Sequence, residues 1–225
     1  IELAPDSGHL LKFATLQNDR FGPARVIAKG GPGDWFVNWA DFPSLLAISG
    51  NQLVAHWLER SGMGRYAYGV RVARSNDGGL TWSTPVTPHR DNSESEHGFV
   101  SLFRVGNEIG IAWLDGRKHA GAKSEAEAEM SVRFTRLAPD GRLGPDQEID
   151  GRACDCCQTS AAITNRGPVM VYRDRTDQEV RDIAVVRYEK GAWSRPRMVH
   201  RDNWEIAACP VNGPAISARG NRVAV

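Results

Sequence analysis

The sequence predicts an all-β chain of four-stranded antiparallel units set radially, as the blades of a β-propeller. Three observations lead there: a recurring strand–turn–strand plan, an alternating strand after its first three copies, and a fourth strand introduced each time by a polar turn. The plan occupies residues 43–60, 99–117, 159–175 and 214–225, with turn glycines at Gly50, Gly106, Gly167 and Gly220. These glycines recur every 53 to 61 residues, the length of one supersecondary unit repeated. The third strands alternate apolar with small or charged residues, through Tyr66, Tyr68, Val70 and Val72, then Met130, Val132 and Phe134, then Ile183 and Val185. Such period-two patterning belongs to strands. Turns at 75–82, 138–141 and 189–194 precede the fourth strands, and His89-Arg90-Asp91-Asn92 returns as His200-Arg201-Asp202-Asn203. Blades are therefore expected at 39–92, 97–150 and 157–202 within one domain. An outer half blade at 10–28 and an inner half blade at 209–225 flank them, about four blade equivalents in all. Apolar edges on the half blades favour self-association.

The 225 residues are 41% hydrophobic and 24% charged, enough to bury a core. Twenty-eight Lys and Arg against 27 Asp and Glu leave a net charge of +1 without a basic block, so nucleic acid is not an expected partner. No apolar run reaches the roughly 18 residues that cross a bilayer. Four cysteines, three of them at Cys154, Cys156 and Cys157, suit an oxidising compartment, periplasmic or secreted.

Residues 75–82, Ser-Asn-Asp-Gly-Gly-Leu-Thr-Trp, form the most specific stretch. Asp77 can cap backbone N–H groups, Gly79 can take a positive φ, and Ser75, Thr81 and Trp82 complete a self-capped turn. This pattern resembles the Asp-box, or bacterial neuraminidase repeat, of the sialidase superfamily. The resemblance implies a six-bladed ring, a structural rather than catalytic role for the box, and exo-acting glycoside hydrolysis at the channel mouth. It also implies an arginine clamp for the substrate carboxylate and a Tyr–Glu pair assisted by an Asp. The stretch matching the first clamp arginine reads Ala40-Asp41-Phe42-Pro43, with an aspartate in the slot.

In a propeller the starts of the innermost strands converge on one mouth. Aligning the repeats on their turn glycines brings Asp41, His97, Cys156 with Cys157, and Cys209 to that mouth, a default location for function. Asp41 and Glu59 are the candidate catalytic carboxylates. Arg60, Arg117, Arg173, Arg175 and Arg181, with His97, are candidate substrate contacts for a glycan or other small ligand. The acid–arginine pairs at 59–60, 115–117 and 173–175 have a plainer reading as structural ion pairs. For Cys154, Cys156, Cys157 and Cys209 the first reading is disulfide bonding, with a bridge from the cluster to Cys209. The alternative is a thiolate metal site assisted by His97; no other cofactor is expected. The rival to a glycosidase is a non-catalytic propeller that binds a glycan, protein or metal at the same mouth.

Overall fold

A computed structural model describes residues 1–120, 122 and 128–225. Among these residues the chain is strand, turn and loop, with one short 3-10 turn at Arg117–His119. Among the described residues no helix is long and apolar enough to cross a membrane.

The first sheet joins β1 (Glu2–Leu3), β2 (His9–Phe13) and, past a two-residue hairpin of β3 (Leu16–Gln17) and β4 (Arg20–Phe21), β5 (Arg25–Gly30). The hairpin tip at Asn18 and Asp19 takes positive φ, 48° and 59°, a conformation that Asn and Asp tolerate. The first repeat folds as β6 (Ser44–Ser49), β7 (Gln52–Arg60) and β8 (Tyr68–Ser75), paired in that order. Its expected fourth strand is reduced to one bridge between Val72 and Val86. The second repeat is a complete four-stranded blade of β9 (His97–Val105), β10 (Glu108–Asp115), β11 (Met130–Leu137) and β12 (Gln147–Ala153). The third runs β13 (Ser160–Thr164), β14 (Gly167–Arg173) and β15 (Ile183–Glu189), whose outer edge pairs with β16 (Ala192–Trp193) and β17 (Arg197–Met198). The chain ends in the hairpin β18 (Ser217–Arg219) and β19 (Arg222–Ala224). Among the described residues this hairpin shares no strand pairing with the first sheet.

Second strands are buried on both faces because each blade is sandwiched between neighbours. In β7 residues 53–58 are all buried, and in β10 residues 109–115 are. The cores accordingly lie between successive sheets. Leu11, Ile27 and Trp35 pack on Ala55 and Trp57. Val54, Leu58 and Val70 pack on Ile109, Ile111 and Trp113. Phe103, Met130 and Phe134 pack on Met170, Tyr172 and Tyr188. Each fully buried large apolar side chain contributes about 1.5–3 kcal/mol, and those in these clusters join neighbouring sheets.

The 75–82 turn folds as its residues require. Asp77 Oδ1 accepts from the backbone N–H of Leu80 and Thr81 at 3.0 and 2.9 Å, and Ser75 Oγ donates to it at 2.8 Å. Gly78 and Gly79 take φ of 73° and 81°, and Trp82 meets Phe13 of the first sheet edge to face. The Thr81 hydroxyl and amide, with Ser75 and Leu80, hold the exposed Asp77 carboxyl well below its usual pKa. A depressed carboxylate stabilises the fold above its unfolded pKa and loses that contribution as pH falls. Asp77→Ala should therefore lower the thermal midpoint at pH 7 and show a smaller deficit near pH 3, both read by calorimetry.

Candidate functional site

Two kinds of segment meet at one end of the blades: those entering the first strands, and the loops between second and third strands. They enclose a cavity of about 740 Å3. Glu96 reaches it from before β9, Asp155 and Cys156 from before β13, and Cys209 from before β18. The second-to-third-strand loops contribute Tyr66 and Ala67, His119, and Arg175, Glu179 and Arg181.

Glu96 leads inward to a buried chain of acids. Tyr68 Oη lies 2.6 Å from Glu96 Oε1 and 3.1 Å from Asp41 Oδ2. A phenol has one proton and serves one carboxylate at a time. Satisfying both contacts at once thus requires a second proton, on Asp41 or Glu96. Burial raises the Asp41 carboxyl to about 7, against the pull of the Phe99 amide and Tyr68, with the Glu96 charge adding to the rise. Burial raises Glu96 to about 7 as well, opposed by Tyr68, while the Asp155 charge pushes it further up. Burial, the charges of Asp41 and Glu96 and its hydrogen bonds to them raise the Tyr68 phenol far above its usual value. Gly98 closes the back of this group, since a Cβ there would overlap the Asp41 carboxylate.

The opposite wall is an ion network. Arg175 Nη2 and Arg181 Nη2 each donate to Glu179 at 2.8 Å, and Arg175 Nη1 reaches Asp155 at 3.2 Å. The Arg175 hydrogen bond, partly opposed by desolvation and aided by Arg181, depresses Glu179 to about 2. His119 is shifted down by burial, with Asp155 pulling up and Arg175 down. Its Nε2 is buried without a hydrogen-bond partner among the described residues. The neutral ring and the fixed guanidinium groups can donate hydrogen bonds to a polar ligand, and Glu96 can exchange a proton with it.

The structure separates the residues expected from sequence. Asp41, Arg175, Arg181, Cys156 and Cys209 lie at the mouth or directly behind it. Cys157 is buried, and pairs with Cys154. Cys156 pairs with Cys209, so the described sulfurs are all disulfide-bonded and the thiolate reading is replaced. Glu59 does not reach the cavity; it accepts from Trp57 Nε1 at 2.8 Å and pairs with Arg71 at 3.0 Å. Arg60 sits over the Phe36 ring, not beside Glu59 as an ion pair. Arg117 bridges Asp115 and Asp146 across the second blade. Arg173 donates to the carbonyls of Asn212 and Arg181 and covers the Trp204 ring.

His97 turns away from the cavity. Its Nδ1 faces the Ser95 carbonyl at 3.0 Å and its Nε2 faces Asp91 at 3.1 Å. Both partners are acceptors, which calls for the doubly protonated ring. Burial opposes that charge, yet the Asp91 hydrogen bond and the Asp115 and Asp91 charges raise the pKa above its ordinary value. His89 stacks on His97 at 3.8 Å between ring centres, and its Nε2 accepts from the Val70 amide at 3.2 Å. That fixes the His89 proton on Nδ1, 3.7 Å from Asp91, so the two histidines and Asp91 form one compact polar cluster. Glu96, Tyr68, Glu179 and Asp155 are the mouth residues that glycine alignment misses. Glu96 is one position from His97, and one step along an extended chain reverses the side chain.

No protein-family model matches the sequence, and no curated protein matches it. Among solved structures it is similar to the GH93 α-L-arabinofuranosidase of Fusarium graminearum in complex with arabinobiose. The match has 12% identity and a TM-score of 0.57, and covers 95% of this chain and 60% of that one. A mutant of the Fusarium graminearum arabinofuranosidase with an iminosugar inhibitor gives 13% identity, a TM-score of 0.52, and 92% and 58% coverage. The chain thus spans about three fifths of the length of these structures. At such identity the likeness shows the fold alone, a β-propeller of the glycoside-hydrolase type.

Two outcomes check this geometry. Gly98→Ala should destabilise the protein by about 1–3 kcal/mol in urea unfolding, as an overpacked core position does. Asp41, Glu96 and His97 all have raised folded pKa values, so each of these three groups binds its proton more tightly in the native state than in the unfolded chain. The contribution of Asp41 and Glu96 is complete at low pH and is lost as pH rises through about 7. Asp41→Asn should flatten the fall in stability between pH 5 and 8, measured by denaturation at each pH.

Proposed function

We propose that this propeller is an extracytoplasmic, carbohydrate-active protein that hydrolyses a glycosidic bond at the channel mouth, with Glu96 as general acid. The observation that carries the reading is the Glu96–Tyr68–Asp41 chain opening into the cavity. A carboxyl raised to about 7 can protonate a leaving oxygen at neutral pH. Asp155, whose charge acts on Glu96 and which Arg175 orients, is the partner carboxylate of the two-carboxylate scheme. Arg181 and His119 orient sugar hydroxyls. Tyr68 is buried and positions Glu96, holding its proton between two carboxyls. The two Fusarium graminearum structures that the chain resembles are arabinofuranosidases, and the 75–82 box resembles that of sialidases; both are glycosidase classes, which supports a carbohydrate-active reading. A sialic-acid clamp has less support, because both mouth arginines are already engaged by Glu179 and Asp155.

That same engagement favours a second reading, a glycan-binding propeller without turnover, since Asp155 and Glu179 are both held by guanidinium groups. Screening nitrophenyl arabinofuranosides, hexosides and a fluorogenic sialoside separates the two. Hydrolysis should fall as pH rises through about 7, where Glu96 loses its proton. Glu96→Gln should cut kcat by at least about 100-fold with an unshifted KM, within the range of lost acid catalysis. Glycan binding that needs the mouth but yields no product would support the binding module instead.

A further inference from the structure

The four cysteines form more than two independent staples. The sulfurs of Cys154, Cys156 and Cys157 all lie within 4.8 Å of one another, although they belong to two different disulfides. Accessibility grades across them. Cys154 and Cys157 are buried, Cys156 is half-buried, and Cys209 is exposed on the cavity wall. Arg181 Nη1 lies 3.5 Å from Cys154 Sγ, a fixed positive charge beside the sulfur cluster. Disulfide exchange proceeds through a thiolate in line with a disulfide, with charge spread over three sulfurs, and a neighbouring guanidinium stabilises that charge.

We infer that the mouth contains a thiol–disulfide exchange relay, in which an external dithiol attacks Cys209 and the exchange passes through Cys156 to the buried Cys154–Cys157 bridge. In the first step a thiolate of the dithiol bonds to Cys209 Sγ, the Cys156–Cys209 bond breaks, and its electron pair leaves on Cys156. The dithiol's second thiol then resolves the mixed disulfide, releasing Cys209 as a thiol and the dithiol as its own cyclic disulfide. The Cys156 thiolate attacks Cys154 Sγ, forms Cys154–Cys156 and expels Cys157, which takes up a proton. Attack on Cys157 instead would join adjacent residues, whose Cα atoms stand about 3.8 Å apart, closer than disulfides ordinarily span. The balance is one dithiol oxidised, two protein thiols formed at Cys157 and Cys209, and one disulfide kept.

The consequence falls on the mouth. Residues 207–216 carry no strand; Cys209 ties them to Cys156, and Gly213 lies against the Gln158 backbone. Opening the Cys209 bond frees one wall of the cavity, while the retained disulfide keeps the entry to β13 closed. This relay stands or falls independently of hydrolysis.

The test is graded reduction of the native protein with one equivalent of dithiothreitol, acid quenching, alkylation and peptide mass spectrometry. The relay predicts label on Cys209 and Cys157, a Cys154–Cys156 bridge, and new proteolytic cleavage within 205–216. Label confined to Cys156 and Cys209 would show reduction without exchange and overturn it, as would resistance of all four cysteines until the protein is denatured. Cys209→Ser provides a route without reductant, since it leaves one odd thiol. Exchange distributes that thiol between Cys156 and Cys157, whereas no exchange leaves it on Cys156 alone. If that variant does not fold, the graded reduction of the unmodified chain decides by itself.

Discussion

Face-to-face packing of successive sheets is the constraint on which everything else in this molecule depends. A single blade here is a thin sheet with apolar residues on both sides, and it cannot hide them alone. Stacking around an axis solves this, because Trp57 can face the first sheet while Leu58, beside it, faces the second blade. Once blades stack this way, the entries to their first strands must converge at one end. Function is then available to residues that are distant in sequence, and the cost is that each wall of the mouth is only as fixed as the blade behind it.

The Asp41, Tyr68 and Glu96 group shows how that convergence becomes chemistry. Asp41 precedes β6, Tyr68 opens β8 and Glu96 precedes β9, so a phenol on one blade holds a carboxyl belonging to the next. Burial raises Glu96 to about 7, so it titrates near neutrality, and the glycine at 98 leaves the space for Asp41. Across the cavity the opposite regime holds. Arg175 and Arg181 keep Glu179 ionised well into acid. One pocket thereby contains a carboxyl poised to give up a proton and another that never holds one, a separation that solvent-exposed carboxylates of ordinary pKa would not provide.

Much of the fold was legible because its signals are local. Turn glycines with positive φ, at Gly50, Gly106, Gly167 and Gly220, mark the hairpins, and the 75–82 turn is specified within eight residues. The fourth strand of the first repeat was not legible as it is, because one bridge at Val86 leaves the same alternating pattern as a longer ladder. The site was legible only to within a residue. Alignment on glycines located the entry to β9, yet the bulge of β9 against β10 near Ala112 and Leu114 and the positive φ of Phe99 set which neighbour faces the cavity. Against the cost of burial, Asp91 and Asp115 then hold His97 on its inner side and raise its pKa. Arg173, Arg175 and Arg181 look equivalent in sequence, yet Arg173 closes β14 and is held by the Asn212 and Arg181 carbonyls and the Trp204 ring, while Arg175 and Arg181 lie in the loop beyond and line the mouth.

The charge arrangement at the mouth limits what it can grip. Two arginines there are matched by Glu179 and Asp155, and Glu96 is neutral when protonated, so the wall offers directional hydrogen bonds with little surplus positive charge. A strongly anionic ligand would have to displace Glu179 from both guanidinium groups, breaking charge-assisted bonds that are the strong kind. A neutral polyol can instead use the unpartnered ring nitrogen of His119 and the remaining faces of Glu96 and Asp155 without dismantling the network. The exposed Tyr66 ring at the cavity suits the hydrocarbon face of such a ring. The same compensation that makes the arginines poor clamps makes them good supports, since a guanidinium locked between two carboxylates holds Asp155 where Glu96 can feel its charge.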